Sequence, residues 1–191
     1  MINEFVFESF PKLESERLLF RELVMEDASE IQSIRSNPDV MRYLDNDGHP
    51  TIDISQNFIK NNIESYNTRN GLYWVIIEKK SNQFIGDFSF WKLDKKNHRA
   101  EIGYTLKPQF WGQGCMFEAM HTLINFGFKI FKLHSMEANI NPANENSRKL
   151  LLKIGFSKEA YFRENYFYNG KYLDSEIYSL LEADFKNNLK D

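Results

Sequence analysis

The sequence predicts an α+β fold, a mixed and mostly antiparallel central sheet flanked by helices, and three observations carry that prediction. Short β-compatible runs are interleaved with stretches of helical period. Only one strand–helix–strand unit is strong, from Arg99–Leu106 through a long helix to Leu133–Ile140, and it should be a right-handed crossover with parallel strands. The other strands are joined by short turns, and the chain closes on the hairpin signal Asn169-Gly170.

Arg17–Leu23 (RLLFREL) reads as the first strand. Met25–Ile34 has helical patterning and breaks at Asn37-Pro38, and Asp39–Leu44 is a short second piece. Asp45–Pro50 (DNDGHP) is a loop, after which Thr51 or Asp53 can cap a helix running to about Tyr66. Leu72–Glu78 and Phe84–Leu93 are strands joined by the turn-like KKSNQ, and Arg99–Leu106 completes the meander. In that last strand Ala100, Ile102, Tyr104 and Leu106 share one face, and Glu101, Gly103 and Thr105 the other. Met116–Phe131 repeats apolar residues at three- and four-residue steps, as an amphipathic helix does. Leu133–Ile140 is a strand, and Asn144–Ile154 a short helix with Gly155 placed for a left-handed C-terminal cap. Strands at about Glu159–Tyr168 and Tyr172–Leu180 finish the order.

A length of 191 residues, with no repeat or low-complexity linker, suits a single domain over residues 1–191 with a core of about 14–182. A net charge of −3 argues against a direct nucleic-acid binder, which needs a basic surface to release counterions. Cys115 is the single cysteine, so no internal disulfide or cysteine-based zinc site can form. The four histidines lack paired metal spacing, and no metal is expected. No apolar run reaches the roughly 18 residues of a membrane span, and the acidic N-terminus does not read as a signal peptide. The expectation is a cytoplasmic, reduced protein. Oligomeric state is not written in the sequence; a homodimer is compatible with it.

The chemistry-bearing segment is a strand followed by Gln109-Phe110-Trp111-Gly112-Gln113-Gly114-Cys115 and then a helix from Met116. Glycines let the backbone turn tightly and approach a ligand, and the amides at a helix start favour an anion such as a phosphate. Two common nucleotide signatures fail here. A phosphate-binding P-loop needs Lys-Ser/Thr after its last glycine, where this chain has Cys115-Met116. A dinucleotide fingerprint needs glycine at 117, which is Phe117. Taken alone, the segment reads more readily as a tight turn into a helix than as a ligand site.

Several motifs in order from Arg17 to Leu180 give the segment a context. They are Glu16-Arg17-Leu18 with Arg21 and Glu26-Asp27-Ala28; Ala100–Tyr104 with Leu106, Pro108, Trp111–Gly114 and Glu118-Ala119; Asn144-x-x-Ser147 with Leu151 and Lys153–Phe156; and Arg163, Gly170, Asp174 and Tyr178–Leu180. On these residues the chain resembles the GNAT superfamily of N-acetyltransferases, in the branch of the ribosomal-protein alanine N-acetyltransferases. Ala160 departs from the branch, which often has glycine there, and so does Cys115, where tyrosine or a small residue is common.

The resemblance implies acetyl-CoA as co-substrate and direct acetyl transfer to a primary amine. The acceptor it implies is the N-terminus of a ribosomal or other protein, or a small-molecule amine (polyamine, antibiotic, amino acid); the rival is a non-catalytic acyl-CoA-binding domain. It implies that the strand at Arg99–Leu106 splays from the one at Leu133–Ile140. The backbone of Tyr104, Thr105 and Leu106 would bind the pantetheine arm in the gap. The segment from Gln109, with the amides of Phe110 to Met116, would hold the pyrophosphate. Glu101 is the first choice as general base, with Glu137 on the next strand as its rival and a water chain as a further route. Ser147 is the candidate to protonate or hydrogen-bond the CoA thiolate. Asn144 can both cap its helix and contact the pantetheine arm.

Overall fold

The computed structural model describes residues 1–187. Its elements in chain order are β1 (Leu13–Glu14), β2 (Leu18–Glu22), α1 (Ala28–Arg35), α2 (Pro38–Met41), α3 (Ile52–Asn67), β3 (Leu72–Glu78), β4 (Gln83–Asp94), β5 (Arg99–Leu106), α4 (Cys115–Lys129), β6 (Ser135–Ile140), α5 (Glu145–Ile154), β7 (Ser157–Tyr168), β8 (Lys171–Leu181) and α6 (Glu182–Asn187). The strands form one eight-stranded sheet in the order β1-β2-β3-β4-β5-β6-β8-β7. All pairings are antiparallel except β5 with β6, the crossover unit expected from the sequence.

β3 and β5 occupy the residues expected of them, and departures elsewhere have local causes. α4 ends at Lys129 because the Ile130 and Phe131 amides both turn back to the Phe126 carbonyl. β6 begins at Ser135 because the amides of Leu133 and His134 bond Gly127 and His98 (2.9 and 2.7 Å). The helix expected from Met25 opens as a 3-10 turn, Met25–Asp27, whose Asp27 carboxylate takes the Val24 amide (3.0 Å) and both Arg21 η-nitrogens (2.7 Å each). Thr51 sits at the N-cap of α3, but its side chain makes no capping bond. At the other end of α5, Gly155 takes φ 112° and the Phe156 amide returns to Leu151, the left-handed cap expected there. Asn169 and Gly170, at φ 47° and 77°, form the turn of the closing hairpin.

Each face of the sheet carries its own apolar layer. Trp74, Ile76, Phe88, Phe90, Ala100 and Ile102 pack on one side with Ala119, Leu123 and Ile124 of α4. Tyr73, Val75, Ile77 and Phe84 face the other way, against Ile31, Ile34 and Ile59 of α1 and α3. Where α4 crosses the sheet, a Cβ on Gly127 would lie 2.3 Å from Met136 Cε and 2.9 Å from Phe90 Cζ. The methionine end can move, but the ring edge is held by its T-shaped contacts with Phe88 and Trp74. Gly127→Val is therefore expected to destabilise the fold by about 2 kcal/mol through overpacking, read as a lower urea midpoint at unchanged slope.

Candidate active site

The sheet opens where its two parallel strands part. β5 and β6 are in register only from Arg99 to Glu101 against Ser135 to Glu137. The Lys107 amide bonds back toward β4, at Ile85 O (2.8 Å), whereas His98 O serves the β6 side. Strand alternation therefore turns the backbone groups of Ile102, Tyr104 and Leu106 to the open edge. The Leu106 carbonyl there is already taken by the Trp111 indole N–H (2.7 Å). Beyond the parting lies a cavity of about 590 Å³, lined by Tyr104, Thr105 and Leu106, by the glycine loop and first turn of α4, and by Asn144 and Ser147.

The loop into α4 narrows the set of amides expected at an anion. Pro108–Phe110 is a 3-10 turn, and the amides of Phe110 and Trp111 are spent within it, on Lys107 and Pro108 (3.0 Å each). The usable run therefore starts at Gly112, not at Phe110. Gly112 and Gly114 have φ 72° and 76°, a region L side chains rarely adopt. The first helical bond of α4 runs from the Glu118 amide to Gly114 O (3.0 Å), leaving the amides before it outside the helical ladder. Gln109 and Gln113 bond each other (Gln113 Nε2 to Gln109 O, 2.6 Å) and do not line the cavity.

A strap that sequence reading did not anticipate fixes this loop. Arg17 donates from Nη1 to the Gln113 carbonyl (3.0 Å), from Nε to Glu118 Oε2 (2.6 Å) and from its amide to Glu118 Oε1 (2.8 Å). Ser15 adds a bond to the same carboxylate (2.7 Å). Burial pushes the Glu118 carboxyl up, but the Arg17 and Ser15 bonds outweigh it and hold it low. The motif resemblance marks Arg17 and Glu118 without giving either a task; the structure makes them one unit.

Asn144 caps α5 by accepting the Ser147 amide (3.1 Å). Ser147 is buried, and its Oγ lies 2.7 Å from the Tyr104 hydroxyl, which burial pushes up to about 12 despite that bond. This phenol is a second feature not anticipated from the sequence, where Tyr104 counted only as an apolar-face residue and a backbone position. Burial also raises the Cys115 thiol, with nearby Arg17 opposing, so the side chain is a poor nucleophile.

A second cavity of about 480 Å³ meets the first along β5, sharing Tyr104 and Thr105 with it. Glu101 lines it, is 8% exposed, and receives Lys92 Nζ at 2.8 Å. Burial raises the Glu101 carboxyl, Lys92 opposes, and the charge of Glu137 adds to the rise. Glu137 stands opposite Glu101 in register, but Arg99 holds its carboxylate (2.5 Å) and it lines neither cavity. Asp87, unremarked in the sequence, is a fully buried carboxylate on the same wall, bound by Thr105 Oγ1 (2.5 Å) and 3.6 Å from Arg35. Burial raises its carboxyl too, against Arg35. Asp45, in the loop before α3, accepts from Tyr166 of β7 and from Asn141 Nδ2 (3.0 Å), so the loop is latched over the cavity.

Among the described residues no group of three or more His, Cys, Asp or Glu could hold a metal ion, and no helix is long and apolar enough to cross a membrane.

The mixed sheet thus opens between its parallel strands, with a glycine-led helix start at one cavity and a carboxylate-lined cavity adjoining it. A family model described as an acetyltransferase (GNAT) domain matches residues 17–157. The uncharacterized N-acetyltransferase YoaA of Bacillus subtilis (strain 168) is 33% identical over 91% of this chain and 98% of its own. A GNAT-family acetyltransferase structure from Bacillus anthracis superposes with TM-score 0.81 at 28% identity, covering 91% of this chain and 99% of that one. A ribosomal-protein-S5-alanine acetyltransferase structure from Vibrio fischeri does so with TM-score 0.80 at 25% identity, covering 92% and 98%. The chain belongs to the GNAT family and is an N-acetyltransferase.

Proposed function

We propose that the protein transfers the acetyl group of acetyl-CoA directly to a primary amine, with the two substrates meeting across the open end of β5. The observation that carries this reading is the pair of cavities joined at Tyr104 and Thr105. In it, the amides from Gly112 to Met116 hold the pyrophosphate, and the open edge at Tyr104 pairs with the pantetheine arm. Glu101 takes the proton as the amine attacks the thioester carbonyl, a backbone N–H of β5 meets the oxyanion, and the Ser147–Tyr104 hydroxyl pair serves the departing thiolate.

Resemblance favours a protein N-terminus as acceptor, and the name of the Vibrio fischeri structure supports that choice. The second reading is a small amine. Three carboxylates in the adjoining cavity, Asp45, Asp87 and Glu101, and the Asp45–Tyr166 latch across it favour this one.

The test is calorimetric titration with acetyl-CoA, followed by thiol release over a panel of N-terminal peptides, polyamines, alkylamines and amino acids. Binding with a micromolar-range constant and amine-dependent thiol release are expected. Binding without turnover on any amine would make this a CoA-binding domain, and no binding would end the reading.

A further inference from the structure

Lys92 points where an ideal strand would not send it. Neighbouring residues of a strand project to opposite faces, yet Lys92 Nζ lies 4.2 Å from the ring centroid of Trp91, the residue before it. The cause is a bulge: Trp91 pairs with Glu101, the next paired residues are Asp94 and Arg99, and Lys92 between them has φ 45°. Such bulges re-aim side chains, and a left-handed lysine needs a reason beyond local preference. Here the bulge carries the ammonium onto the Glu101 carboxylate, 2.8 Å away, at the wall of the second cavity.

The surroundings fit a primary ammonium. Trp91 and Glu101 are cross-strand partners and share a face. Gly103 is next along that face, where a Cβ would be tight on Ser89 Oγ (3.1 Å) and in ordinary contact with Trp91 Nε1 (3.7 Å). The other carboxylates of the cavity are engaged elsewhere, Asp87 by Thr105 and Arg35, Asp45 by Tyr166 and Asn141. Glu101 has only Lys92 as ion-pair partner among the described residues, and that side chain is 57% exposed against 9% for the glutamate. It is held on one side by a buried acid and an aromatic face and is free to swing out on the other.

We propose that the Glu101 carboxylate and the Trp91 ring form an ammonium subsite in the acceptor cavity, that Lys92 fills it in the free protein as a stand-in, and that the acceptor is a primary amine on a flexible aliphatic stem, which displaces Lys92 to bind. That the amine bound there is the acceptor rests on the function proposed above; the subsite itself does not.

The experiment titrates n-pentylammonium into the full chain at pH 8, by calorimetry, for the wild type, Lys92→Met and Lys92→Arg. Removing the internal competitor is expected to tighten binding about tenfold in Lys92→Met, whereas Lys92→Arg, which keeps a cation in the site, should stay near the wild type. Adding Trp91→Leu to Lys92→Met should reverse the gain. Equal or weaker binding by Lys92→Met overturns the subsite, as does a gain that survives Trp91→Leu. Acetyl-CoA titration of the same samples reports separately on the function: its failure with the tenfold gain intact would sink the acetyl-CoA-dependent function proposed above and not the subsite. With acetyl-CoA present, the KM for pentylamine should fall about tenfold in Lys92→Met. Tight binding with no acetylation of the amine would show that the ligand is not the acceptor.

Discussion

Glu101→Gln is expected to lower kcat about 100-fold, the scale of one general base, while acetyl-CoA affinity stays within a factor of about two. The substitution keeps shape and hydrogen-bonding capacity but cannot accept the amine's proton. The pH profile is the more telling readout. A base must be ionised, so the rate falls as pH drops through its pKa. Burial raises the Glu101 carboxyl and Lys92 only partly offsets this, which puts the acid limb above the ordinary carboxylate range, and glutamine should erase that limb. In Lys92→Met the offsetting cation is gone and the limb should move further toward neutral pH. A profile unchanged in Glu101→Gln would move the base elsewhere, to Glu137 first.

Gly114→Val should weaken acetyl-CoA binding about tenfold to hundredfold, or about 1.4 to 2.8 kcal/mol, through the backbone. At φ 76° a β-branched residue is strained. The nearest atom to a new Cβ would be Arg17 Nη2 at 3.5 Å, an ordinary contact. The loop would relieve the strain by shifting φ, rotating the amides that face the first cavity and pulling on the Arg17–Gln113 bond. Gly170→Val is the control. Gly170 has the same hand, φ 77°, with nothing within 4 Å of a new Cβ, and it lies in the closing hairpin. Both variants should lose stability, but only Gly114→Val should lose affinity. Equal affinity in the two would detach the glycine loop from the donor.

Most of the framework was legible because its signals are local. β3 and β5 are uninterrupted β-compatible runs, Gly155 and Asn169-Gly170 announce their left-handed turns, and the crossover to β6 follows from strand–helix–strand order. β1, of two residues, has no period to read, and neither does the 3-10 turn at Glu4–Phe7. The site divides in the same way. Gly112, Gly114, Asn144, Ser147 and Glu101 stand out by motif, whereas Asp87, the Tyr104 hydroxyl and the Asp45–Tyr166 latch matter only through partners brought close by the fold. Thr105 Oγ1 and Asp87 are 18 residues apart, Tyr104 and Ser147 43, and Tyr166 and Asp45 121. The Phe110 and Trp111 amides are spent in a turn that begins at Pro108, a contact the motif alone does not announce.

The strap from Arg17 to Glu118 also bears on how the protein is made. It joins groups 101 residues apart, so its closure carries a long loop's entropy and must wait until the intervening meander has collapsed. During synthesis the strap cannot close until α4 has emerged, because Glu118 lies on it. A chain that stops before α4 therefore carries β1–β5 without the strap that holds the Gln113 carbonyl.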